Sequence, residues 1–200
     1  MSARLVLLGP PGAGKGTQAA RISERLRIPA ISTGDIFRAN VAEQTDLGQR
    51  AQRYMDAGEY VPDEVTNAMV RDRLGQADAA RGFLLDGYPR TDEQVAELDD
   101  ILAAAGTSLD AVVEITADTD EVIGRLLNRA QEQGRTDDTE PVIRRRLEVY
   151  TEQTAPLAET YARRGLLVRV EGLGTVDEVT ERIMDALRRA NDKPEGDEQG

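Results

Sequence analysis

The chain has 200 residues, of which 40% are hydrophobic and 31% charged, enough for one domain with a real core. It contains no cysteine and no histidine, which excludes a disulfide framework, the usual zinc ligands and an imidazole base. A net charge of −12 argues against a nucleic-acid or anionic-membrane surface, because both require a basic face.

Met1 to Arg4 leads straight into the apolar run Leu5 to Leu8, far too short to span a bilayer and unlike a signal peptide. The expectation is a cytoplasmic protein with no membrane partner. Short apolar runs rich in β-branched residues alternate with amphipathic patterns, which reads as βαβ units around a parallel sheet. Five strands are expected, at Arg4–Leu8, Pro29–Ile31, Phe83–Leu85, Ala111–Ile115 and Leu166–Val170. Their near-continuous hydrophobicity fits strands covered on both faces. Thr91 to Gln94 opens a helix with a capping box, and Val95, Leu98, Ile101 and Leu102 supply its apolar stripe. Asp118 to Glu121 opens another helix, and Thr175 to Glu178 opens the last.

The most regular helix is expected from Pro141 to Arg163, where Ile143, Leu147, Tyr150, Thr154, Leu157 and Tyr161 recur every three or four residues. Residues Asn191 to Gly200 carry no apolar side chain and read as a disordered acidic tail. Two stretches fit the sheet pattern poorly: Ser32 to Val61, long for a crossover, and the polar Gln131 to Thr139 around Gly134. Both are candidate movable inserts.

The chemistry begins at Gly9-Pro10-Pro11-Gly12-Ala13-Gly14-Lys15-Gly16-Thr17, placed between the first strand and the first helix. This is the context of a P-loop: backbone N–H groups wrap phosphates, the helix N-terminus adds its dipole, and Lys15 places charge on the outer phosphates. Lys15 is followed by Gly16, and the hydroxyl comes one place later at Thr17, which weakens a direct bond from Thr17 to magnesium. Asp86 ends an apolar strand, where its carboxylate can hold Mg²⁺ through water or act as a turn or capping residue.

Three ordered motifs carry a family resemblance: Gly9 to Gln18, Ser32 to Asp35 with Arg38, and Asp86 to Arg90. Together they resemble the adenylate kinases, and the resemblance covers Arg4 to about Ala190. It implies a P-loop NTPase-type α/β fold with a parallel five-stranded sheet flanked by helices. It also implies a small monophosphate-binding insert at 32–61 and a short lid at 129–139. ATP would lie over Gly12, Ala13, Gly14, Lys15, Gly16 and Thr17, with Arg129 and the Gly174 backbone. AMP would lie among Thr33, Arg38, the Glu59, Tyr60 and Val61 backbone, Gly87, Tyr88, Pro89, Arg90 and Gln94, with Arg135 and Arg146. Lys15, Arg38, Arg90, Arg129, Arg135 and Arg146 would carry the catalytic charge.

Each assignment has a plainer alternative. Ser32 and Asp35 fit a capping box, and Gln94 completes the box begun by Thr91, so its amide could bond the backbone instead of adenine. Arg38 and Arg90 could be solvated, although their place beside the motifs favours phosphate clamps. At about 100° per residue, Arg146 sits at the rim of the stripe centred on Ile143 while Arg145 points away. Arg144 and Arg145 are therefore expected as solvated charge. Resemblance alone selects Arg129 over Arg125. Asp137 and Asp138 fit either lid partners or helix caps with Thr139, and Gly174 either a base contact or a loop glycine.

The implied reaction is ATP + AMP ⇌ 2 ADP with Mg²⁺, and no zinc is expected in a short lid without Cys or His. A nucleotide phosphate acceptor is already anionic near pH 7, with a second pKa of about 6, so the chain needs no general base. The alternatives are a UMP/CMP kinase and, in another class, a nucleotide-binding switch; the absent guanine motif and the second set of arginines weigh against the switch. The family implies a monomer.

Overall fold

The computed structural model describes residues 3–118, 122–128 and 139–191. Five parallel strands form one sheet in the order β2-β3-β1-β4-β5. They are β1 (Arg4–Leu8), β2 (Ala30–Ser32), β3 (Phe83–Asp86), β4 (Ala111–Thr116) and β5 (Leu167–Glu171). Each expected strand is present, with ends shifted by at most one residue. The helices are α1 (Lys15–Leu26), α2 (Thr33–Ala42), α3 (Asp46–Ala57), α4 (Asp63–Leu74), α5 (Asp92–Ala104), α6 (Glu140–Val149), α7 (Leu157–Arg163) and α8 (Val176–Asn191). A further helical segment occupies 122–128. No described helix is long and apolar enough to cross a membrane.

The central strands β3, β1 and β4 are largely apolar because both faces are covered, whereas the edge strand β5 exposes Arg169 and Glu171. On β1, Leu5 and Leu7 pack with Ile22 of α1 and Ile183 and Leu187 of α8. Val6 and Leu8 point the other way and pack with Leu98 of α5 and Leu157 and Tyr161 of α7. Burying each such side chain contributes about 1.5–3 kcal/mol, so a one-residue slip of β1, which would exchange the two faces, is strongly disfavoured.

The helix starts follow the capping chemistry. Thr175 Oγ1 accepts from the Glu178 N–H at 3.3 Å while the Glu178 carboxylate accepts from the Thr175 N–H at 2.7 Å. The Thr175 N–H and, with it, the Thr175 hydroxyl donate to that carboxylate and hold the Glu178 carboxyl below its ordinary range. Ser32 Oγ likewise accepts from the Asp35 N–H. At α5 the outcome differs in part. Thr91 Oγ1 accepts from the Gln94 N–H, but Gln94 Oε1 accepts from the Arg90 N–H at 2.8 Å, one residue before the box.

The single long helix expected from Pro141 to Arg163 is broken. Four members of its stripe, Ile143, Thr154, Leu157 and Tyr161, are below 5% exposed, while Leu147 and Tyr150 are only partly buried. Between α6 and α7, however, Tyr150–Thr154 forms a π-helical turn, closed by the Ala155 N–H donating to the Tyr150 carbonyl at 2.8 Å. Pro156 has no N–H to continue the ladder, so α7 starts afresh after it.

The long stretch 32–61 folds as α2 and α3, with a small core of Phe37, Ala51 and Val61. The two helices touch at backbone level: a Cβ on Gly48 would stand 2.1 Å from the Asn40 carbonyl oxygen. Arg129, Arg135, Asp137, Asp138, the 192–200 tail, and all of the expected lid except Thr139 lie outside the described residues.

Candidate active site

Parallel topology sends every strand's C-terminal end to the same sheet edge, and the loops leaving that edge build the site. Leu7 of β1 and Ser32 of β2 both register with Asp86 of β3. Three loops therefore diverge from neighbouring points: Gly9–Gly14 after β1, Ser32–Thr33 after β2, and Gly87–Arg90 after β3. They surround a cavity of about 600 Å³, within the range of small-molecule sites.

Its first wall is the phosphate cradle. Gly12, Gly14, Lys15, Gly16 and Thr17 line it, while Ala13 lies behind, 3% exposed. Gly14 caps α1 with φ +90°, a conformation that favours glycine. The Lys15 ammonium donates to the Gly9 and Pro10 carbonyls at 2.8 and 3.0 Å. Thr17 is exposed.

Asp86 fits a hydrated divalent cation. Asp86 lines the same cavity as Thr17, and a Cβ on Gly16 would come within 3.8 Å of Asp86 Oδ2. It neither caps a helix nor bonds a turn among the described residues, which leaves acceptor-only oxygens facing the cradle.

The opposite wall is made of side chains that hold one another. Thr33 is 2% exposed and its hydroxyl donates to the Gly87 carbonyl at 2.9 Å. Gly87 has φ +82°, and a Cβ there would stand 2.7 Å from Thr33 Oγ1 and 2.8 Å from an Arg90 terminal nitrogen. Arg90 Nε also donates to the Gly87 carbonyl, at 2.6 Å, and its guanidinium stacks 4.8 Å from the Tyr60 ring centroid. Gln94 is 1% exposed; its Nε2 donates to Asp63 Oδ1 at 2.6 Å and its Oε1 accepts from Arg90. The capping alternative is therefore realised in modified form, and the amide still lines the cavity with one hydrogen and one lone pair to offer. Arg38 lines the cavity too, with Asp35 2.5 Å from its Nη2.

Glu59, Tyr60, Val61, Pro89 and Arg146 also line the cavity. Tyr88 does not: it is 1% exposed, its hydroxyl donates to Asn67 Oδ1 at 2.9 Å, and burial raises its pKa. The Tyr88–Pro89 peptide is cis. Gly174 is also outside the lining, and a Cβ there would meet Glu178 and Arg182 rather than the cavity.

Arg145 departs from its expected solvated role. Its guanidinium donates to Glu59 at 2.7 Å and to Glu148 at 3.1 Å, so it ties α6 to the end of α3. Arg144 behaves as expected, pairing among the described residues only with Glu140 one turn away.

The lining includes Arg125, which the motif comparison had set aside, and Tyr150 and Thr154, which spacing alone had placed in the core. Thus Lys15, Arg38, Arg90, Arg125 and Arg146 line one cavity together with Asp35, Glu59 and Asp86. Asp35 and Glu59 are already ion-paired, so a chain of net charge −12 presents an electropositive pocket suited to phosphates.

Comparison with known proteins agrees with this geometry. The adenylate kinase family model matches residues 7–166. An adenylate kinase of Kocuria rhizophila is 69% identical over 186 residues, covering 93% of this chain and 99% of the relative. One from Nocardioides sp. is 66% identical, covering 92% and 96%, and one from Thermobifida fusca is 57% identical, covering 92% and 98%. With a P-loop after β1, a second set of arginines opposite it and relatives matched over nearly their whole length, this chain belongs to the adenylate kinase family.

Proposed function

We propose that the cavity holds ATP over Gly12–Thr17 and AMP beside Thr33, Arg38, Arg90 and Gln94, and that the protein runs ATP + AMP ⇌ 2 ADP as a monomer. The observation that carries this reading is that two separate sets of cations, Lys15 on one wall and Arg38 and Arg90 on the other, line a single cavity. A single nucleotide does not need both.

Phosphoryl transfer demands positioning and charge neutralisation more than covalent help. The AMP phosphate arrives already anionic, which suits a chain with no histidine. When ATP enters, the Lys15 ammonium turns its hydrogen bonds from the Gly9 and Pro10 carbonyls to phosphate oxygens. Arg38 and Arg90 hold the acceptor phosphate, and Arg146 stabilises the charge that develops between the two nucleotides. In this reading Arg129 and Arg135 complete that charge, and the insert at 32–61 and the lid at 129–139 close to exclude water, which would compete as acceptor. Asp86 with Thr17 would hold Mg²⁺, which when bound neutralises phosphate charge and orients the transferring group.

Two adenosines joined through five phosphates test this arrangement. If the sites face each other, the second half binds intramolecularly at high effective concentration. Calorimetry should then show one ligand per chain, held at least about a hundredfold more tightly than ATP. Binding no tighter than ATP, or one ligand shared by two chains, would overturn the facing-site reading.

A further inference from the structure

The π-helical turn between α6 and α7 leads to a residue that the reaction scheme leaves unused. Thr154 closes that turn and is 4% exposed, yet it lies on the cavity lining. A helical threonine commonly bonds the carbonyl four residues back. Thr151, in the same turn, does so, donating to the Leu147 carbonyl at 2.9 Å. Thr154 does not. The carbonyl four residues before it belongs to Tyr150 and accepts the i→i+5 bond from the Ala155 N–H that closes the π-turn. The Thr154 hydroxyl instead crosses to another element and donates to the Arg90 carbonyl at 2.9 Å.

A hydroxyl has one proton to give. With that proton on Arg90, the 2.7 Å contact between Thr154 Oγ1 and the Tyr60 hydroxyl has Tyr60 as donor. Tyr60 in turn carries the Arg90 guanidinium on its ring. Thr154 therefore holds both ends of one assembly: the main chain of Arg90 and the aromatic platform beneath its side chain. The Arg90 N–H and Nε are fixed separately, on Gln94 and on the Gly87 carbonyl. What remains to the guanidinium is its terminal nitrogens, and no described carboxylate pairs with them.

We propose that Thr154 is a positioning residue for the monophosphate, acting through Arg90. It aims the terminal nitrogens of Arg90 at the acceptor phosphate and couples that aim to the Tyr60 segment at the end of the insert. π-Turns recur at functional sites, and here the turn redirects a hydroxyl from its own helix to the binding wall. The proposal rests on the reading of Arg90 as the AMP clamp.

Thr154→Val keeps the shape and removes the hydroxyl; Thr154→Ser restores it. The valine enzyme should raise the KM for AMP about tenfold, the scale of a lost buried hydrogen bond, with the KM for ATP changed by less than about twofold. Serine should return the AMP value close to the parent's. In an Arg90→Ala background, Thr154→Val should add less than about twofold, because its effect passes through Arg90. A parental AMP KM in Thr154→Val, beside a raised one in Arg90→Ala, overturns the Thr154 proposal and leaves the clamp standing. Equal rises for AMP and ATP, or no rescue by serine, reduce Thr154 to a structural role and also overturn it. An unchanged AMP KM in Arg90→Ala removes the clamp reading and the proposal together. Where the valine protein does not fold, Tyr60→Phe keeps the ring and removes the hydroxyl that donates to Thr154. Its AMP KM should rise about threefold, and an unchanged value is an overturning result.

Discussion

The two walls of the cavity solve the same electrostatic problem by different means. The cradle wall is main chain: glycines after β1, the first turn of α1 and a single lysine. The facing wall is side chain, and almost every polar atom on it is held by another residue. Thr33 is fixed on Gly87, Gln94 on Asp63 and Arg90, and Thr154 on Arg90 and Tyr60. Main-chain N–H groups recognise phosphates that every nucleoside triphosphate shares. A preorganised set of side chains can present a shaped, directional surface to one monophosphate, and its precision depends on the residues behind it.

The largest expected effect lies on the cradle wall. Lys15→Met should lower kcat by at least about a thousandfold in a folded protein, since no other described side chain supplies positive charge from within the loop. Activity within about tenfold of the parent in a folded variant would sink the P-loop mechanism and break the comparison. On the facing wall Gln94→Ala should produce a double signature. It strands the Arg90 N–H and Oδ1 of Asp63, which costs about 1–3 kcal/mol, with roughly 2–4 °C of Tm lost per kcal/mol for a chain of this size. The KM for AMP should also rise about tenfold with that for ATP nearly unchanged. A fall in Tm with a parental AMP KM would break the comparison, leaving this wall as scaffold alone.

The smallest effect is a control far from both walls. Thr175 holds the Glu178 carboxyl below its ordinary range. A depressed folded pKa contributes stability that is present above the unfolded value and is lost as pH falls through the folded one. Thermal unfolding of Glu178→Gln should therefore fall slightly below the parent near neutral pH, and the two should converge in acid. A constant gap at all pH values would assign the difference to packing instead.

The same contrast decides what was legible in the sequence. Everything written in a short run was readable: the cradle from Gly9 to Thr17, the strands with both faces covered, and the boxes at Ser32 and Thr175. What joins distant segments was not. Asp63 lies 31 residues from Gln94, Thr154 lies 64 from Arg90, and Glu59 lies 86 from Arg145. No periodicity reports such pairs, because the fold creates them. Tyr150 and Thr154 were visible only as members of an apolar stripe, and the π-turn that brings them to the cavity arises from Pro156 and tertiary contact rather than helix propensity. Arg145 was misread for the same reason: helical phase says which way a side chain leaves its own helix, and not what another helix brings to meet it.

The contact at Gly48 has a mechanical consequence. Where α2 crosses α3, main chain rests on main chain, with the Asn40 carbonyl in the space a side chain would occupy. A pair of helices separated by side chains can slide as rotamers adjust; a pair in backbone contact has no such lubricating layer. In the closure proposed for the 32–61 insert, the two helices would travel as one stiff paddle, with bending left to the short joints near Ser32 and near Glu59 to Pro62. The second of these joints holds Tyr60. A methyl group added at residue 48 would wedge the paddle apart from within, changing the angle at which its far end meets Arg90 without altering a single atom that touches nucleotide.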